Sequence, residues 1–442
     1  EVHLHGLGYW HFLTKNELRI DAVTLDSLSI KITPRDSSTA PDTTSDKSDP
    51  KRFEIRNLLV KKGQFSLENE ELATLQIDSF QLKVADFIFD PHRDSTQIDW
   101  GASTFSGYNF RLDQRSAQNR LLAERLELTD NDQLTITNFH YQPKRSKANY
   151  LQYLPHRKAR LDAQLTKIRV QKLALKPLIF NQSFKAETIR VNGALEVYSD
   201  KNKAACSNCL KPYPYEDWQT SDWQIAIDSI LITDSQIVYE ELRQGEEETG
   251  QLDWEQVYGS IYHLNNQVAL QQPYTLADIQ AKFLKEGTVN IHFEFPNYAK
   301  NNDYHFNGSI DQLSLKKINR FLVFSKQFRI QRGRVNHFAF SGKGNLQTAS
   351  GDMEMRYEKL KIQLIKKDRT PRKFLSKVAN LVFGKSNNPD KNDELRLGKM
   401  YFERDPQKSF IGNWWKTIQS GLKSIMLPNI LLPDELEHAK KE

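Results

Sequence analysis

The chain of 442 residues has only two cysteines and four methionines. Two cysteines are too few to staple a fold of this length, so burial and hydrogen bonding must hold it. No run of about 18 apolar residues occurs, so no segment reads as a membrane-spanning helix. Charge of one sign is scarce too: 62 basic residues face 56 acidic ones, and the net +6 is spread over small local excesses. That balance disfavours nucleic acid as a partner. Also missing are a phosphate-cradling glycine loop, a Gly-x-Ser-x-Gly elbow and a zinc-protease histidine pair. No catalytic function, cofactor or resident metal is therefore expected.

What the chain does have is aromatic and aliphatic area, with 24 Phe, 16 Tyr and 7 Trp, enough to bury a sizeable interior. Its dominant pattern has period two. Val289, Ile291, Phe293 and Phe295 alternate with Asn290, His292 and Glu294, which puts four large apolar groups on one face of a strand. Trp223, Ile225 and Ile227, then Ile230 and Ile232, then Ile237 and Tyr239 beyond the turn-forming Thr233-Asp234-Ser235, read as three strands of a meander. Phe338 with Phe340 and Met353 with Met355 and Tyr357 follow the same alternation. Residues 121–128 read as a strand because Leu126 and Leu128 alternate into Leu134 and Ile136. Residues 20–32, 77–89 and 227–239 each open on Ile-Asp and form a loose repeat, expected to be strand, turn and second strand on a shared apolar face. The fold class predicted is mainly β: a long curled antiparallel sheet forming an open groove, with short amphipathic helices near the C-terminus.

Interruptions divide the chain into an N-terminal part of the sheet at 1–200, a polar cysteine-containing loop at 201–216, a second part of the sheet at 217–370, and terminal helices and tail at 371–442. Residues 34–50 are polar and proline-bounded, the composition of a mobile loop. Residues 245–250 look like a hairpin tip. Phe374, Leu375, Val378, Leu381 and Val382 have the spacing of a short basic amphipathic helix. Phe410, Ile411, Trp414, Trp415, Ile418, Leu422 and Ile425 make a broader helical stripe opposed by Lys416, Gln419 and Lys423. Such helices suit either cover for exposed sheet edges or contact with a membrane interface. The chain opens at Glu1 directly into Leu4, Leu7, Tyr9, Trp10 and Phe12, which points to a signal or anchor segment upstream and to an exported protein.

Cys206-Ser207-Asn208-Cys209 has a spacing used by metal and redox sites. It lacks a second cysteine pair, a nearby histidine pair and a helix start, so a local disulfide or inert thiols are expected; half of an intermolecular metal site and redox chemistry stay open as alternatives. His3 and His5 read as surface residues. Asp130-Asn131-Asp132 resembles the opening of a calcium loop but lacks its later glycine and glutamate, and reads as a turn.

Val335-x-x-Phe338-x-Phe340-x-Gly342-x-Gly344, followed by Gly351-x-Met353-x-Met355-x-Tyr357-x-x-Leu360-Lys361-Ile362, resembles the C-terminal part of the AsmA-like (AsmA/TamB-type) proteins of Gram-negative bacteria. Phe295-Pro296, Tyr304-x-Phe306-x-Gly308 and Leu315-x-x-Ile318-Asn319 are similar to the same family's elements, with Arg320 where its pattern has proline. Residues 374–389, Phe402-x-Arg404-Asp405, Trp414, Trp415 and Gly421 resemble its closing helices. The likeness covers residues 274–426; the first half shares only the diffuse strand repeat. It implies the periplasmic portion of an inner-membrane protein, anchored by a segment upstream of residue 1, whose β-groove handles phospholipid between the two membranes. The expectation is a non-enzymatic lipid-binding or lipid-bridging module of the envelope. The alternative is a structural scaffold subunit that binds envelope protein partners through the same sheet. Candidate lipid-binding residues are Ile225, Ile227, Ile291, Phe293, Phe295, Phe338 and Phe340. Candidate residues of the membrane or capping helices are Phe374, Val378, Trp414, Trp415 and Ile418.

Overall fold

The computed structural model describes residues 1–7, 17–33, 52–69, 73–91, 97–298, 303–325, 328–366, 369–372, 384–389 and 395–426. The expected loop at 34–50 and helix at 374–382, with Phe374 and Val378, lie outside the described residues. Among the described residues, 19 strands form one large, open, unclosed sheet with a C-terminal helix, so the protein is mainly β. The chain divides into two compact units, Glu1–Lys144 with Asp162–Val191, and Arg145–Leu161 with Asn192–Glu442. The division falls within β11 (Ser183–Asp200).

The first unit contains β1 (Val2–Leu7), β2 (Leu18–Leu25), β3 (Leu28–Ile32), β4 (Phe53–Asn69), β5 (Ala73–Phe89), the short β6 (Ile98–Asp99), β7 (Ser103–Gln114), β8 (Asn119–Thr129) and β9 (Gln133–Pro143). β10 (Arg160–Gln171) and a one-turn helix, α1 (Leu175–Phe180), follow. β4, β5, β7, β8, β9 and β10 pair antiparallel in that order. The strand reading of residues 121–128 is met in β8, with Leu126 opposite Ile136 and Leu128 opposite Leu134. Asp130 and Asn131 take φ of 51° and 64° in the tight turn between β8 and β9. The sheet is not wholly antiparallel: β2 and β3 run parallel to β4 in a single register, Leu25 opposite Val60 and Leu28 opposite Gly63. A parallel pair needs a long connection, and residues 33–52 supply its length.

At residues 20–32 the Ile-Asp repeat is two strands, β2 and β3, separated at Asp26-Ser27 but running in one direction; its other two copies are each part of one strand. Residues 77–89 lie inside β5, and residues 227–239 lie inside β12 (Gln224–Leu242). On β5, Ile77 and Phe80 are three apart yet face Phe65 and Gly63, two apart on β4. One extra residue has been absorbed as a β-bulge, which keeps both apolar groups on one face. Thr233-Asp234-Ser235 is likewise a bulge, with a register shift between Ile232 and Ser235 and φ of 40° at Asp234. A bulge and a turn interrupt apolar alternation with the same short polar residues, so the sequence pattern alone does not separate them.

In the second unit, β12 is followed by β13 (Thr249–Asn265), β14 (Tyr274–Phe283), β15 (Gly287–Pro296), β16 (Tyr304–Ser314), β17 (Phe328–Gly344), β18 (Thr348–Leu364) and β19 (Gly398–Glu403), each antiparallel to the one before. Among the described residues, three helices accompany them: α2 (Pro214–Gln219), α3 (Asn319–Ser325) and α4 (Phe410–Met426). α4 lies along β19. The Tyr401 amide donates to Ser420 Oγ at 2.9 Å, and the Lys399 amide donates to Ser424 Oγ at 3.2 Å. Two backbone donors on the outer side of β19 are thus satisfied by a helix instead of by another strand. The contact is close because it is lined by glycine: a Cβ on Gly421 would sit 2.6 Å from Met400 Cγ, and one on Gly398 would sit 2.8 Å from the Gly421 carbonyl oxygen.

Candidate functional site

Cross-strand pairing builds the site. In the first unit, Leu25, Val60, Leu82, Phe105, Leu128, Leu134 and Val170 stand directly opposite one another in succession across β2, β4, β5, β7, β8, β9 and β10. A second row runs beside it through Leu28, Gly63, Phe80, Gly107, Leu126, Ile136 and Ile168. A third joins Ile30, Phe65, Ile77, Phe110 and Ala123. Directly opposed residues share a face, so these rows make one apolar surface without a polar side chain. Leu82, Phe105, Leu126, Leu128 and Phe110 remain part-exposed. At one end Leu175 and Leu178 of α1 pack with Val170, Leu173, Leu134 and Ile168.

The second unit repeats the arrangement. Ile232, Gly259, Ile279, Ile291, Gly308, Phe340 and Met353 form one cross-strand row from β12 to β18. A groove of about 770 Å³ runs over its first six members, within the size range of small-molecule sites. Glycine on this face makes room for rings from the facing strand. Gly308 opposes Phe340, Gly342 opposes Phe306 and Gly344 opposes Tyr304. A Cβ on each glycine would lie 2.5 to 2.6 Å from its partner's ring.

To one side of the groove the same face is sealed. Phe410 of α4 packs edge-on against Phe293, Phe295, Tyr304 and Tyr213 with ring centroids 5.1 to 5.5 Å apart. Trp414 meets Phe293 at 5.4 Å and Phe340 at 5.8 Å. Tyr215 and Trp218 of α2 cover Phe295. Burial raises the Tyr215 and Tyr304 hydroxyls well above the ordinary phenol range, so both stay neutral. Arg404 bonds Glu216 at 2.8 Å and stacks over Tyr213, anchoring α2. On the other side of the groove, α3 lies against β13 and β17, with Phe321 6.0 Å from Tyr239. Arg320, at the position where the resembled family has proline, pairs with Asp253 at 2.7 Å.

The candidate residues are thereby sorted. Ile291 and Phe340 line the groove. Phe293 and Phe295 are buried beneath α4 and α2, and Phe338 is buried beside Phe340. Ile225 is part-exposed and Ile227 is buried, and neither lines the groove. Ile232 and Ile279 enter the groove without having been singled out. Their runs show the same alternation, and only the register tells which run meets which. On α4, Trp414 and Ile418 face the sheet, whereas Ile411 is 59% exposed and Trp415 is 48% exposed.

Cys206 and Cys209 form a disulfide, and His156 Nε2 lies 3.6 Å from Cys209 Sγ. His3 bonds Asp26 at 2.9 Å on the surface. No family model, curated protein or solved structure compared with the chain matches it.

Proposed function

We propose that this protein is a non-enzymatic lipid-binding module whose apolar sheet face holds phospholipid acyl chains. The observation that carries the reading is the set of unbroken apolar cross-strand rows, part-exposed in the first unit and opening as a groove in the second. The rows present aliphatic groups, phenyl rings and glycine, and the strands' backbone groups are already used within the sheet. A peptide laid on this face would leave its own amides without partners, a cost that hydrocarbon does not incur. Each methylene transferred from water contributes about 0.8 kcal/mol. The resemblance of residues 335–364 to AsmA-like proteins agrees, and with it goes the proposal of a periplasmic, inner-membrane-anchored setting.

Photo-crosslinking side chains at Leu82, Ile291 and Phe295 test the reading in cells. Phospholipid adducts are expected at 82 and 291, and none at 295, which α2 and α4 cover. Protein adducts without lipid at 82 and 291 would replace the lipid reading with the scaffold one.

A further inference from the structure

We propose that Cys206, Cys209 and His156 form a redox-gated site for a thiophilic divalent cation such as Zn²⁺, closed as the disulfide and opened by reduction. Sequence reasoning found the cysteine pair but no further ligand nearby. The fold brings His156 from fifty residues upstream, so that its ring nitrogen and both sulfurs lie within 4.8 Å of one another. With Zn–S of about 2.3 Å and Zn–N of about 2.0–2.1 Å, adjacent sulfur and nitrogen ligands of a tetrahedral zinc are about 3.6 Å apart. The His156 Nε2 to Cys209 Sγ separation is already 3.6 Å. The two sulfurs must part, with Cys206 Sγ coming to a like distance from the ring nitrogen.

The segments that carry the ligands are held together without the sulfurs. The Arg157 amide donates to the Ala204 carbonyl at 2.8 Å, and Lys203 Nζ donates to the Leu151 carbonyl at 3.0 Å and also to that of Leu154. Past the cysteines, the Lys211 amide donates to the Pro406 carbonyl at 2.8 Å, and Arg404 Nη2 donates to the Lys211 carbonyl at 3.1 Å. Breaking the disulfide therefore leaves the loop pinned beside His156. A dithiol reductant supplies two electrons and two protons, becoming a disulfide itself while Cys206 and Cys209 become thiols. Cation binding then releases both thiol protons to water and yields two thiolates and one neutral imidazole, with the fourth position left to water.

The test uses the full chain, reduced with a phosphine under argon and titrated with Co²⁺ alone. The reduced protein is expected to bind one Co²⁺ per chain with thiolate-to-cobalt charge-transfer absorption and tetrahedral d–d bands, both displaced by Zn²⁺; the oxidised protein should show neither. Cys206→Ser should abolish the charge-transfer band. His156→Ala, checked for an unchanged far-ultraviolet dichroism spectrum, should weaken binding at least tenfold, since loss of even an outer-shell partner costs about 10–100-fold. No bands in the reduced protein, equal affinity in His156→Ala, or one ion per two chains would each overturn the site.

Discussion

At the residue scale, position along one strand separates the sealed part of the apolar face from the open part. Phe293 is 5% exposed and lies against Phe410 and Trp414. In Phe293→Glu, loss of the ring alone costs about 3–5 kcal/mol, and an unpaired carboxylate adds to it. Urea melts should show that variant unfolded or strongly destabilised. Ile291, two residues earlier, lines the groove, where a carboxylate reaches water. Ile291→Glu is expected to stay folded, with a much smaller loss of stability than Phe293→Glu, while losing crosslinkable lipid. On the other face, burial opposes charging of His292, but hydrogen bonds to Asp278 at 2.7 Å and to Glu294 at 3.5 Å outweigh it and raise its pKa. The folded value lies above the unfolded one, so this stabilisation is complete below about pH 6.5 and is lost as pH rises through the folded value. The melting-temperature difference between wild type and His292→Gln should shrink over that interval; a constant difference would contradict it. The alternation of residues 289–295 was legible in the sequence because it has one period. Which of those residues a helix over a hundred positions later would cover was not.

At the scale of elements, α4 shows how a stripe read from spacing divides on packing. Phe410, Trp414, Ile418 and Ile425 turn to the sheet, and Ile411 and Trp415 do not. Trp414→Ser should cost about 3–5 kcal/mol, whereas Trp415→Ser should stay within about 0.5 kcal/mol. Calorimetry of the two variants decides it, and equal losses would mean that the exposed indole is also covered. The helix was legible from its 3.6-residue period. The buried Thr417, Ser420 and Ser424 were not: the Ser420 and Ser424 hydroxyls accept from the edge of β19, that of Thr417 donates to the Asn413 carbonyl, and all three read in sequence as an interruption of the stripe. The bulges at Asp78-Ser79 and Asp234 misled for the same kind of reason: local polarity reports that alternation stops, not whether the chain turns back.

At the scale of the molecule, hydrophobic alternation was enough to give a strand-dominated chain, but register was needed to show that successive runs align into continuous rows. Rows of this kind predict a linkage: anything bound to them raises stability as RT ln(1 + [L]/Kd). Gentle removal of bound lipid should lower the melting temperature, and phospholipid added back should raise it with concentration; a melting temperature indifferent to both would count against an occupied face. The contact of α4 with β19 carries a consequence for biosynthesis. The helix follows the strand it covers, so on the ribosome Lys399 and Tyr401 present bare backbone donors until residues 410–426 have emerged and folded back. A chain halted before Ser409 would display a complete sheet with an unguarded edge, and light scattering should find it self-associating where the longer chain is not. The timing of α4, rather than the composition of the strands, would then set how safely this protein is made.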